Sequence, residues 1–233
     1  MSVPINKKLN KKIAKGFFIT GTDTNIGKTL IASSISAALI NNGKRVCAIK
    51  PLASGCNDAL ILKRHSTCNK LSRLDINPFT FRDPVAPHLA AKKNGVKLSV
   101  ARIITKSYKA LNYDADYIVI EGAGGWFTPI SDKETMADLA KAYGYPVILV
   151  VGIRLGCINH AILTYKCMCD SGVKIGGWIA NITDKKMLYL KENIESLKRR
   201  IGVPLLGIIP YMRTVNPQKC SSFLINFLTA PEV

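Results

Sequence analysis

Four residues able to do chemistry stand at or just after the ends of apolar runs: Lys28, Thr29, Lys50 and Glu121. The first two close the stretch Gly21-Thr22-Asp23-Thr24-Asn25-Ile26-Gly27-Lys28-Thr29, which follows Phe17-Phe18-Ile19-Thr20. A strand, a tight glycine-flanked loop and a helix start, in that order, make a phosphate cradle. Backbone N–H groups and the helix N-terminus point at anionic oxygens. Lys28 supplies a cation toward the terminal phosphates, and the Thr29 hydroxyl is a ligand for Mg2+. Five residues separate Gly21 from Gly27-Lys28-Thr29, where the common phosphate loop has about four.

Lys50 ends the apolar run Val46-Cys47-Ala48-Ile49 and precedes Pro51-Leu52-Ala53-Ser54-Gly55. It is either a solvated strand-end lysine or a cation facing the same ligand as the phosphate loop. The small residues at 53–55 fit a close backbone approach to that ligand. Glu121 ends Tyr117-Ile118-Val119-Ile120 and precedes Gly122-Ala123-Gly124-Gly125-Trp126. An acid at the end of a strand beside a phosphate loop holds Mg2+ directly or through water. Asp58 offers a second carboxylate, although Asn57-Asp58 also reads as a helix N-cap pair. In Arg154-Leu155-Gly156-Cys157-Ile158-Asn159-His160, a glycine step enters a helix and forms a second anion-binding N-terminus. His160 stands alone and reads as structural. His65 and His88 have no metal-ligand spacing to it.

These residues need rigid elements to hold them. Phe17–Thr20, Val46–Ile49, Tyr117–Ile120, Val147–Val151, Ile175–Ala180 and Leu205–Ile208 are short, continuous, β-branched apolar runs, the pattern of strands buried on both faces. Helical segments are expected near 28–42, 99–112, 134–143, 157–171 and 185–201. Such alternation predicts an α/β fold: one domain over residues 16–233, with a mostly parallel sheet flanked by helices. Ligands in such folds bind at the carboxyl ends of the strands, where the motifs fall. The segment from Asp58 to Ser99 carries loop signals but little periodicity.

At 233 residues and 48% apolar composition, the chain is long enough for a sizeable core. Residues 1–15 read as a disordered basic tail without the apolar core of a secretory signal. The longest apolar run, Pro146 to Ile153, is too short to span a bilayer. Seven cysteines without a Cys-x-x-Cys pair do not read as a zinc or disulfide framework and fit a reducing, cytoplasmic setting. The net charge of +18 comes from 24 Lys against 9 Arg, scattered rather than striped. Arg is the residue that suits phosphate forks and guanine edges. The charge is therefore read as compositional, with neither a nucleic-acid nor a membrane partner.

Taken together, residues 21–29, Lys50–Gly55, Glu121–Trp126, Leu155–His160, Gly177–Asn181 and Gly207–Pro210 resemble the ATP-dependent dethiobiotin synthetases of biotin biosynthesis. The resemblance spans about residues 16 to 225. It implies carboxylation of 7,8-diaminopelargonate by CO2, phosphorylation of the carbamate by ATP, and ring closure to a cyclic urea with release of ADP and phosphate. It further implies Lys28, Lys50 and Thr24 at the reacting centre, and Thr29, Asp58 and Glu121 on Mg2+. Asn25, Ile26, Gly27, Lys28, Thr29, Leu30, Asp58, Glu121, Gly122, Ala123, Gly124, Asn181, Ile182, Pro210, Tyr211 and Met212 would line the nucleotide. Ser54 and Leu155, Gly156, Cys157, Ile158 and Asn159 would meet the diamine, the latter five across a homodimer interface. Asn25 departs from the family's acidic residue. The interval from Gly55 to Asp58 is short, and Gln218 stands in place of an acidic nucleotide contact of the family. The alternative is a partitioning or positioning ATPase that binds DNA or membrane. Such proteins usually carry an early loop lysine where this chain has Thr22-Asp23-Thr24.

Overall fold

The computed structural model describes residues 14–55, 58–224 and 227. The basic tail through residue 13, Cys56, Asn57, and residues 225, 226 and 228–233 lie outside the described residues. In chain order the elements are β1 (Lys15–Gly21), α1 (Lys28–Asn41), β2 (Val46–Ile49), β3 (Leu52–Ser54), α2 (Asp58–Arg64), α3 (Arg73–Ile76), β4 (Phe79–Phe81), α4 (Pro87–Lys93), α5 (Val100–Leu111), β5 (Tyr117–Glu121), α6 (Met136–Tyr143), β6 (Val147–Ile153), α7 (Cys157–Asp170), β7 (Ile175–Ile182), α8 (Leu190–Lys198), β8 (Leu205–Ile209) and α9 (Pro217–Ser221). The six apolar runs expected as strands form one sheet in the order β2-β5-β1-β6-β7-β8. Every pairing in it is parallel.

Each strand is apolar on both sides because both faces are covered. Phe17, Ile19, Val119, Ile148, Val150 and Ile179 point to the face that packs on Ile31, Ile35 and Leu39 of α1 and on Cys220 of α9. Their neighbours Phe18, Ile118, Ile120, Leu149, Val151 and Trp178 point to the other face. They pack there with Ile103 of α5, Leu139 of α6, Met168 of α7 and Leu197 of α8. Alternation along the strand thus sorts one continuous run into two cores. Phe227 closes the first core edge-on against Phe17, with ring centroids 5.1 Å apart.

The expected helix over 185–201 is shorter, Leu190–Lys198. It starts after Tyr189, which holds a left-handed φ of 51°. The unreadable segment 58–99 holds three short helices and β4, which pairs with β3 in a separate two-stranded parallel sheet. That small unit positions Lys50. The Lys50 N–H donates to Ile76 O (3.0 Å), and the buried Asn77 amide donates to Lys50 O (2.6 Å). The strand-end lysine is therefore fixed by its own backbone.

Candidate active site

Between β1 and β6 the chain reverses direction across the sheet: β2 and β5 lie on one side of β1, and β6, β7 and β8 on the other. A crevice opens at the carboxyl ends where such a reversal occurs. The phosphate loop fills it. Gly27 caps α1 at φ 92° and Asn25 sits at φ 58°. Both are left-handed, and Asn tolerates that region better than other side chains with a Cβ. The departure at position 25 therefore suits the backbone conformation the loop takes there.

Ile26 anchors the loop. It is buried, and a Cβ on Gly21 would meet its Cδ1 at 2.4 Å while one on Gly152 would meet its Cγ2 at 2.7 Å. Two glycines on neighbouring strands thus make the slot that this side chain occupies. Asn181, in register with Gly152, donates from Nδ2 to Ile26 O at 2.7 Å. The family resemblance implies a nucleotide contact for Asn181. Here its amide also braces the loop from β7.

Five of the expected residues meet at the tips of β1, β2 and β5. The Thr29 hydroxyl donates to Glu121 Oε1 (2.8 Å), and Lys50 Nζ donates to the same oxygen (2.7 Å) and to Asp58 Oδ2. Lys28 lies in the same field, with its ammonium donating to Asp23 O at 2.6 Å. Burial pulls the Lys28 ammonium down to about 8, against the pull of Glu121. Burial also opposes the charge on Lys50, yet Glu121 and Asp58 outweigh it and hold that ammonium above its ordinary value. Lys50 is therefore a fixed cation, as a site for clustered anions requires.

This donor set fits Mg2+. It offers two carboxylates and a hydroxyl, all hard oxygen ligands. Glu121 Oε2 is fully buried and has no hydrogen-bond partner among the described residues, leaving an acceptor free for a cation. Among the described residues, no group of three or more His, Cys, Asp or Glu is arranged to hold a metal. A site with so few protein donors suits Mg2+, which keeps several waters and takes phosphate oxygens as ligands.

The other expected residues stand at the ends of elements or in the turns that follow them. Gly122–Gly124 continue from β5, and the Thr128 hydroxyl accepts from the Gly125 N–H at 2.8 Å to shape that turn. Ser54 ends β3. Thr24 is exposed at the loop. Leu155 and Gly156 precede α7 and Cys157–Asn159 open it, with Leu155 at 89% exposure. Asn181 and Ile182 end β7, and Pro210–Met212 follow β8. Gln218 donates to Asn41 Oδ1 at the far end of α1 (2.9 Å). Sequence reasoning gave no role to Asp23 or Arg154, which form an ion pair at 2.6 Å. Arg154 directly follows β6, as Lys50 follows β2, and that shared placement was the available signal.

The fold and the Lys28–Thr29–Glu121 junction define a phosphate-loop nucleotide-binding protein. Solved structures share that fold: the MinC:MinD cell division protein complex of Aquifex aeolicus (TM-score 0.59, 16% identity, covering 94% of this chain and 97% of that one). A ParA family ATPase from Chlorobium tepidum aligns likewise (TM-score 0.53, 18% identity, 95% and 94% covered). The AAA domain family model matches residues 15–219. The "ATP-dependent dethiobiotin synthetase BioD" of Pseudomonas paraeruginosa is 42% identical over 217 residues, covering 89% of this chain and 95% of its own length. That of Aromatoleum aromaticum is 41% identical over 220 residues, covering 90% and 96%. The chain belongs to the family of ATP-dependent dethiobiotin synthetases, ligases that form a carbon–nitrogen bond.

Proposed function

We propose that the chain uses ATP and Mg2+ to join CO2 to 7,8-diaminopelargonate and close the cyclic urea of dethiobiotin. One amine takes up CO2 as a carbamate. ATP phosphorylates the carbamate oxygen, and the second amine displaces phosphate from the mixed anhydride. A carbamate oxygen is a poor leaving group until it is phosphorylated. The crowd of anions then needs fixed cations more than it needs acid–base groups. The observation that carries this reading is the convergence of Lys50 and Thr29 on Glu121, with Asp58 on the same Lys50 ammonium, beside Lys28.

In this reading Lys28 and the loop N–H groups hold the phosphates, and Lys50 and Thr24 face the carbamate. Thr29, Asp58 and Glu121 would hold Mg2+, which when bound neutralises charge on the phosphates. Asn181, Ile182 and Pro210–Met212 would receive the base. They lie two and three strands from β1 in the sheet order, about 10 to 15 Å at ordinary strand spacing. Ser54 and the turn Gly122–Gly124 would flank the diamine. The Leu155–Asn159 step would take the diamine's carboxylate at the N-terminus of α7. Leu155 and Leu163, 89% and 56% exposed, support a homodimer in which a second copy covers this face. No helix among the described residues is long and apolar enough to cross a membrane. With six free thiols among them, a cytoplasmic enzyme without nucleic-acid or membrane partners is the reading favoured.

The test is incubation with the diamine, bicarbonate, Mg2+ and ATP, followed by mass spectrometry of the product. The cyclic urea is expected, with ATP turnover that depends on the diamine. Rapid ATP hydrolysis without the diamine, stimulated by DNA or lipid vesicles, would overturn the proposal.

A further inference from the structure

Arg154 and Asp23 have no part in the chemistry assigned above, yet they join two halves of the site. Arg154 Nη2 lies 2.6 Å from Asp23 Oδ2, and the side chains are 43% and 44% exposed. An ion pair so exposed adds little to folding. Its connections give it another value. Asp23 Oδ1 accepts the Thr24 N–H (2.7 Å), and Asp23 O accepts the Lys28 ammonium (2.6 Å). On the other side, Arg154 O accepts the Cys157 N–H (3.0 Å) and closes the first turn of α7. A single line of contacts therefore runs from Lys28 through Asp23 and Arg154 to Cys157.

Asp23 is also an electrostatic problem. Its carboxylate sits in a loop built to hold a polyanion, where an unpaired negative charge repels the ligand. Arg154 cancels that charge and fixes the residue whose carbonyl orients Lys28. The Arg fork does this from β6, outside the loop.

We infer that Arg154 is a positioning residue. It acts through Asp23, cancelling the carboxylate charge beside the terminal phosphates, and it ties the phosphate loop to the helix start that receives the diamine's carboxylate. The second half of this statement rests on the proposed function; the first does not.

The experiment is calorimetric binding of a non-hydrolysable ATP analogue with Mg2+ and no diamine. The proteins are the wild type, Arg154→Ala, Asp23→Asn and the double variant. Arg154→Ala is expected to weaken binding about tenfold through the uncovered charge. Adding Asp23→Asn should restore most of the loss, because the repelling charge is gone. A purely structural role would give no such rescue. Wild-type affinity in Arg154→Ala, or a deeper loss in the double variant, overturns the inference. Should Arg154→Ala not fold, Asp23→Asn alone decides: binding at least as tight as wild type supports the inference, and clearly weaker binding overturns it. With active enzyme, Arg154→Ala should also raise the KM for the diamine, and an unchanged diamine KM overturns the coupling to α7. Because the binding arm contains no diamine, the rescue can be seen even if no urea product forms. Failure of the proposed function and failure of this inference are thus distinguishable.

Discussion

Glu121 Oε1 receives the Lys50 ammonium at 2.7 Å and, on the same oxygen, the Thr29 hydroxyl at 2.8 Å. One carboxylate oxygen thus fixes the cation from β2 against the helix start that follows β1. Lys50→Ala is expected to abolish product formation while leaving binding of an ATP analogue largely intact, since the lysine serves the reacting centre. Removing it also leaves Glu121 and Asp58 facing each other without their shared cation, at a cost of about 3–5 kcal/mol for a broken buried pair. Thermal melting should show that loss, and added Mg2+ should recover part of it. Equal loss of binding and turnover would mark Lys50 as a general phosphate contact instead.

Glu121→Gln keeps the shape of the side chain and removes its charge. The Mg2+ concentration needed for half-maximal product formation should rise by about tenfold or more, the scale of a perturbed ligand sphere. The KM for the diamine should move far less. Titration of both ligands against the variant separates the two. A larger effect on the diamine would place Glu121 on the substrate rather than the metal.

Asn181→Ala removes the brace between β7 and the phosphate loop and leaves Ile26 O without its partner. A lost hydrogen bond of this kind costs about 1 kcal/mol. The expected outcome is a several-fold loss of nucleotide affinity with little change in diamine KM, read by calorimetry. Wild-type nucleotide affinity would show that Ile26 in its glycine slot holds the loop unaided.

Asp75 gives a pH-dependent prediction. Its carboxylate accepts from Lys109 Nζ at 2.8 Å and closes the capping box with Ser72 at the start of α3. Hydrogen bonding to Lys109, then to Ser72, lowers it from 3.8 to about 2. A carboxylate lowered in the folded state stabilises fully above its unfolded value and loses that contribution as pH falls through the folded one. Asp75→Asn should therefore cost about 1 kcal/mol near neutral pH, the typical worth of a cap. The gap to wild type should close as pH falls from about 4 toward 2. Urea denaturation across that range checks it, and a gap independent of pH would assign the loss to geometry rather than charge.

The sheet was legible because its strands are buried on both faces, so each of the six reads as an unbroken apolar run. The junction at Glu121 was legible because Lys28, Thr29, Lys50 and Glu121 stand at or just beyond the ends of those runs. Segment 58–99 was not, because its elements are only three to seven residues long, too short for a helical or strand period to show. The Asp23–Arg154 pair was missed because its partners lie 131 residues apart and meet only through the register of β1 with β6. Asn181 was placed at the right edge, but its hold on Ile26 O depends on the register of Gly152 with Asn181, which no local pattern encodes.

The slot that receives Ile26 has its own consequence for how this protein can fail. Gly152 is buried, and a methyl group there would meet Ile26 at 2.7 Å. Packing inside the fold, together with the Asn181 bond, holds the phosphate loop in shape. Random inactivating changes should therefore be found at Gly21 and Gly152 as readily as at Lys28. A variant of that kind would behave as a ligand-binding defect although its altered residue is wholly internal.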